Sequence, residues 1–199
     1  MKAKLFLLLA ALSALATQAD AQAIVPKQVQ IDDFASCLLR QAPRDSVKLL
    51  HSQLDSQEER SEAQMLAVGH SACIHGRVLS ARTGQIRGGL AQAFLLRDPG
   101  LLDALAARPA SAIVRPPFAD GRAFVIEYAQ CLVGARPAQT AAFLRTAFHS
   151  ETERTAFLAY DGALSACMPF GAQYDVNIPD VRNQIAAISY LAVAAAPAK

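Results

Sequence analysis

The side chains able to do chemistry are few and have competing uses. Cysteines stand at Cys37, Cys73, Cys131 and Cys167. In an oxidising compartment they become disulfides, and in a reducing one they remain thiols for metal binding or nucleophilic work. His70, Cys73 and His75 offer a zinc vocabulary. Gly69-His70-Ser71-Ala72-Cys73 imitates a nucleophile elbow with Cys in place of the last glycine, but that motif needs a strand before it, and here a capped helix precedes it. His51 and Asp55, at i and i+4, could pair or simply face solvent. Gly84, Gly88 and Gly89 lie near a helix start, where free amides could hold an anion, although close helix packing explains them more simply. The sequence has no Gly-rich phosphate fingerprint, no His-Glu-x-x-His and no Cys-x-x-Cys. The expectation is no catalytic residue, no cofactor and no metal site.

The cysteine positions also expose an internal repeat. Cys37 and Cys73 are 36 positions apart, as are Cys131 and Cys167. Aligned without gaps from Ala35 to Cys73 against Ala129 to Cys167, the copies share 11 identities over 39 positions, including Pro43/Pro137, Leu50/Leu144, Ser56/Ser150, Glu59/Glu153 and Arg60/Arg154. With one inserted residue the match continues, pairing Arg87-Gly88-Gly89-Leu90-Ala91 with Arg182-Asn183-Gln184-Ile185-Ala186. Four cysteines allow three pairings, and equal spacing favours Cys37 with Cys73 and Cys131 with Cys167. The zinc alternative loses its histidines in the second copy, where Leu164 and Pro169 replace His70 and His75. The charges kept in both copies, Arg60/Arg154 and Arg87/Arg182, could fix helix ends or hold a ligand.

The elements that must position these residues read as four helical segments per copy. The first carries Phe34, Cys37 and Leu38, or Ile126, Tyr128, Cys131 and Leu132; Pro43 or Pro137 opens the second. The second segment's stripe is expected at Val47, Leu50 and Leu54, and at Ala141, Leu144 and Phe148. Ser56 and Glu59, matched by Ser150 and Glu153, predict capping boxes opening a third segment that runs to Cys73 or Cys167. After polar stretches at Ser80–Gly84 and Tyr174–Asn177, a fourth segment carries Ile86, Leu90 and Ala93, or Val181, Ile185 and Ile188. The fold class is all-α, two pseudo-repeated units packed as a small helical bundle or array. The expected boundaries are 1–21 for a signal peptide, 22–96 for the first unit, 97–122 for a Pro/Gly-rich connector with a short helix near Leu101–Ala107, and 123–199 for the second unit.

Export is read from the first residues. Lys2 and Lys4 precede an apolar run from Leu5 to Ala16, too short to span a membrane, and Ala19-Asp20-Ala21 offers cleavage before Gln22. Cleavage leaves 178 of the 199 residues and removes Lys2, Lys4 and Asp20, so the formal charge falls from +2 to +1. A neutral chain that is 53% hydrophobic lacks the Lys/Arg excess that nucleic acid or an anionic membrane would attract. Phe34-Ala35-Ser36-Cys37 faintly imitates a lipidation box, but Asp32 and Asp33 separate it from the apolar run. The apolar stretch from Ile185 to Ala196 is expected to be a buried last helix.

Cys37-Leu38 ahead of a proline, the second cysteine, and Ile86-Arg87-Gly88-Gly89-Leu90-Ala91-Gln92-Ala93-Phe94 together resemble a pattern in exported α-proteobacterial proteins with duplicated Cys-containing helical units. The resemblance covers most of the mature chain and implies export and duplication; it carries no activity. Function is therefore expected to be that of a periplasmic or secreted, non-enzymatic structural or protein-interaction module. A carrier of a small apolar molecule, using Phe143, Phe148, Phe157 and Tyr160, is the alternative from another class. A hydrolase-type enzyme is the least supported.

Overall fold

A computed structural model describes residues 27–74, 79–116, 121–168 and 177–194. The chain is all-α, with helices α1 (Lys27–Gln41), α2 (Pro43–His51), α3 (Gln57–Gly69), α4 (Thr83–Arg97), α5 (Pro99–Ala106), α6 (Gly121–Ala135), α7 (Pro137–Leu144), α8 (Glu151–Leu158), α9 (Gly162–Ala166) and α10 (Ile178–Ala194), plus a 3-10 turn at Ser71–Ile74. Helix starts keep the register of the aligned halves. Lys27 and Gly121, Pro43 and Pro137, and Gln57 and Glu151 each lie 94 residues apart, and Thr83 and Ile178 lie 95 apart.

Local chemistry explains those starts. Pro43 and Pro137 occupy the first turn, where a missing N–H leaves no bond unmade. Ser56 Oγ and Ser150 Oγ each accept the amide of the glutamate three residues on, both at 3.0 Å. The reciprocal half of the box differs from expectation. Glu59 and Glu153 reach one residue further back, accepting the amides of Asp55 and His149 at 2.9 and 2.7 Å. Asp55 and His149 are unlike residues at equivalent positions, yet both take the left-handed conformation, φ 60° and 56°.

Helices α4 and α10 pack centrally on each other, flanked by α1 and α6 respectively. Neither is one-sided: on α4 an unbroken run from Ile86 to Gln92 is buried, and on α10 a run from Val181 to Ala187. At their crossing Gly88 has no room for a side chain, since a Cβ would stand 2.5 Å from the Asn183 backbone. One apolar core runs through both halves, from Phe34, Leu38 and Leu50 to Tyr128, Phe143 and Ile185. Disulfides Cys37–Cys73 and Cys131–Cys167 tie the first helix of each half to the segment after its third, with Cα atoms 5.6 and 5.7 Å apart. In the chain-entropy model each closed loop of this size stabilises by about 4 kcal/mol. Among the described residues no helix is long and apolar enough to cross a membrane.

Several expectations need correction. The third segment of the second half breaks at Asp161 (φ 48°) into α8 and α9, whereas α3 continues to Gly69. Leu54 and Phe148 lie past the ends of α2 and α7; the buried faces are Ser46, Leu49 and Leu50, and Thr140, Ala141, Phe143 and Leu144. Gly84 lies inside α4, not in the stretch before it. The short helix expected near Leu101–Ala107 is present as α5 and starts two residues earlier, opened by Pro99 with Asp98 accepting the Gly100 amide; Leu102 and Leu105 bury it in the common core. The expected signal peptide, His75, Pro169 and Tyr174 lie outside the described residues.

Candidate functional site

Arg87 and Arg182 are fully buried, and each holds together the end of one helix and the start of another. Arg87 Nη1 donates to Glu59 Oε1 at 3.3 Å and its Nη2 to the Leu50 carbonyl near the end of α2. Arg182 Nη1 donates to Glu153 Oε1 and Thr146 Oγ1, both at 2.9 Å, and Nη2 donates to the carbonyl of Leu144, the last residue of α7, and to that of Thr146 just beyond it. Its Nε donates to Gln92 at 3.0 Å, and its guanidinium stacks 4.1 Å from the Phe148 ring centre. Burial pulls both guanidinium groups below their ordinary pKa, and the glutamates oppose it. Both arginines fix helix ends.

A cleft of about 260 Å³ opens between the two halves, lined by Arg82, Gly84 and Gln85 on one side and Arg122, Asp180 and Gln184 on the other. The starts of α4, α6 and α10 meet there. Arg122 crosses from α6 to bond Asp55 at 3.1 Å and the buried Glu59 at 2.7 Å, so Glu59 Oε1 is shared by two arginines. Gln85 Nε2 donates to Asp180 Oδ1 at 3.0 Å, while Arg82 stands 3.8 Å from the other oxygen with four-fifths of its side chain exposed. Two atoms of these residues, Arg122 Nε and Gln184 Oε1, are buried out of reach of solvent and have no protein partner. The missing Cβ of Gly84 lets the Gln184 and Arg122 side chains close on α4, because a methyl there would lie 2.7 Å from Gln184 Nε2 and 3.1 Å from Arg122 Nη2.

The other candidates disperse. Asp55 sits in a turn beyond α2, so His51 and Asp55 do not share a helix face; His51 packs edge-on against Tyr190 at 6.0 Å. Ser71 lies in a 3-10 turn after a helix, without the strand an elbow requires. Cys73 is bonded to Cys37, which removes the thiolate that a zinc site with His70 would use. Arg60 and Arg154 are exposed, Arg60 lying 3.7 Å from Asp55. Phe143, Phe157 and Tyr160 pack together with centroids 5.6–6.1 Å apart, and the Tyr160 hydroxyl donates to Thr140. Gly88 and Gly89 meet Asn183 and Ile31, so they serve packing.

Arg122 carried no sequence signal, because its counterpart 94 residues earlier is Gln28 and the alignment shows no shared charge. No protein-family model, curated protein or solved structure matches the chain.

Proposed function

We propose that this is an exported, non-enzymatic helical module, built from a duplicated unit and acting through contacts with another protein. The observation that carries the reading is where the shared polar residues are used. The serines cap helices, the buried arginines pair with glutamates across helix ends, and the cysteines are disulfides. Duplication is supported by contacts between counterparts. Gln85 bonds Asp180, and Gly88 touches Asn183; each is its partner's equivalent in the 95-residue register, as happens along a two-fold axis. Disulfides fit an oxidising compartment outside the cytoplasm.

The packed aromatic cluster favours this reading over an apolar-ligand carrier, since those rings fill the core against one another. Native mass spectrometry of the mature protein from its own host separates the two. A stoichiometric complex with a second protein is expected; a monomer carrying a lipid-sized adduct would replace the module with the carrier.

A further inference from the structure

We propose that the connector at 107–115 is a processing site for an endoprotease with a small specificity pocket, seated on the second half, and that cleavage there leaves two chains folded as one body. The inference does not depend on the protein-contact reading, and either can fail without the other.

Between α5 and α6 every residue from 107 to 115 is exposed, and from 109 to 116 the chain forms no helix or turn. Exposed, open chain of small residues is what a protease takes, because the substrate must enter the active site extended. By contrast, the turns at 52–56 and 145–150 fold back on themselves, with the Ser56 and Ser150 hydroxyls donating to the Gln53 and Ala147 carbonyls.

Side-chain chemistry then selects the protease. Both arginines of the segment, Arg108 and Arg115, stand directly before a proline. The proline ring replaces the N–H and fixes φ at the bond that would be cut, which closes both bonds to a trypsin-type enzyme. What remains is Ala110-Ser111-Ala112-Ile113-Val114, whose alanines and 77% exposed Val114 fit a small pocket of the elastase kind. Hydrolysis adds one water across one peptide bond, giving a carboxylate and an amine, and needs no other reactant.

Two anchors hold the segment down. The Ser111 amide donates to the Gly134 carbonyl at 2.9 Å, with Ser111 Oγ 2.8 Å from where a Gly134 Cβ would stand, and Arg108 Nη1 donates to the Ala192 carbonyl near the end of α10 at 2.8 Å. A protease must lift the segment, so the anchors set the rate. Cleavage leaves no covalent link between the products, since Cys37–Cys73 lies wholly before the connector and Cys131–Cys167 wholly after it. Packing keeps them together. On the first product α5, with Leu102 and Leu105 buried, packs on α7 and α10 of the second, and α4 packs along α10.

The test is limited digestion of the purified protein with elastase, followed by mass spectrometry without reductant, first native and then in urea. The first cut is expected within 110–114, and trypsin should leave that segment whole. The native species should be heavier than the parent by one water, and urea should part it into two fragments with one disulfide each. Arg108→Ala and Gly134→Ala each loosen one anchor and should speed the cut about fivefold. Neither should lower the melting temperature, because Arg108 is exposed and alanine suits α6 better than glycine. A first cut outside the segment, or fragments that part before urea is added, would overturn the proposal. A rate unchanged in either variant would overturn the seating.

Discussion

The two buried arginines occupy equivalent positions and end in different states. Arg182 is closed: Gln92 takes its Nε, Thr146 and Glu153 its Nη1, and Phe148 lies against its face. Arg87 is open, because its Nε has no protein partner. Register gives two reasons: the residue equivalent to Gln92 is Ala187 and that equivalent to Phe148 is Leu54; Ser52, equivalent to Thr146, donates to Leu49 just as Thr146 donates to Phe143. Hydroxyls repeat the pattern. Thr140 accepts from Tyr160, while its equivalent Ser46 has no partner and Leu66 stands where Tyr160 would be. The second half has the closures that hold an ion pair in a core; the first lacks them and takes Arg122 from across the boundary, beside the cleft between the halves.

This comparison can be broken by measurement. Removing one partner of a buried ion pair costs about 3–5 kcal/mol. Arg182→Ala should fall at the top of that range and Arg87→Ala at the bottom, measured by urea unfolding. Equal losses would mean that the extra bonds of Arg182 contribute nothing. The glycines offer a second contrast. Gly88→Ala drives a methyl into the α10 backbone and should cost about 3 kcal/mol, whereas Gly84→Ala meets only movable side-chain ends and should cost under about 1 kcal/mol.

Much of the frame was readable from the chain because it rests on local spacing. Equal cysteine separations selected the disulfide pairing, Ser-x-x-Glu placed two helix starts, and prolines placed two more. What escaped depends on tertiary contact. Glu59 reads as a capping residue, and only the approach of α4 and α6 makes it the acid shared by Arg87 and Arg122. Asp55 and His149 do not look alike, and their common left-handed turn follows from the glutamate that binds each amide. The all-round burial of α4 and α10 follows from their central place, which an amphipathic pattern does not convey.

Smaller effects sharpen the contrast. Thr140→Val strands the Tyr160 hydroxyl in the core and should cost about 1–3 kcal/mol, whereas Ser46→Ala removes a hydroxyl that already lacks a partner and should be neutral or slightly stabilising. Asp32, equivalent to Ile126, adds a pH dependence to the second half's network. Partial burial raises its pKa from 3.8 to about 6, against the Gln28 hydrogen bond and the charges of Arg182 and His149, with Asp33 adding to the rise. A raised carboxyl binds its proton more tightly in the folded state. The stability it adds is full below pH 3.8 and lost as pH climbs through about 6. Asp32→Asn should match the parent near pH 4 and exceed it at pH 7 by about 1 kcal/mol, allowing for partial exposure. Unfolding curves at the two pH values check the sign.

The central claim is that the chain is two counterpart halves around one core, each with its own staple. Peptide mapping of the unreduced protein tests it most directly. The account predicts two linked fragments, Cys37 with Cys73 and Cys131 with Cys167, and no free thiol; a bond from one half to the other, or four free thiols, would contradict it.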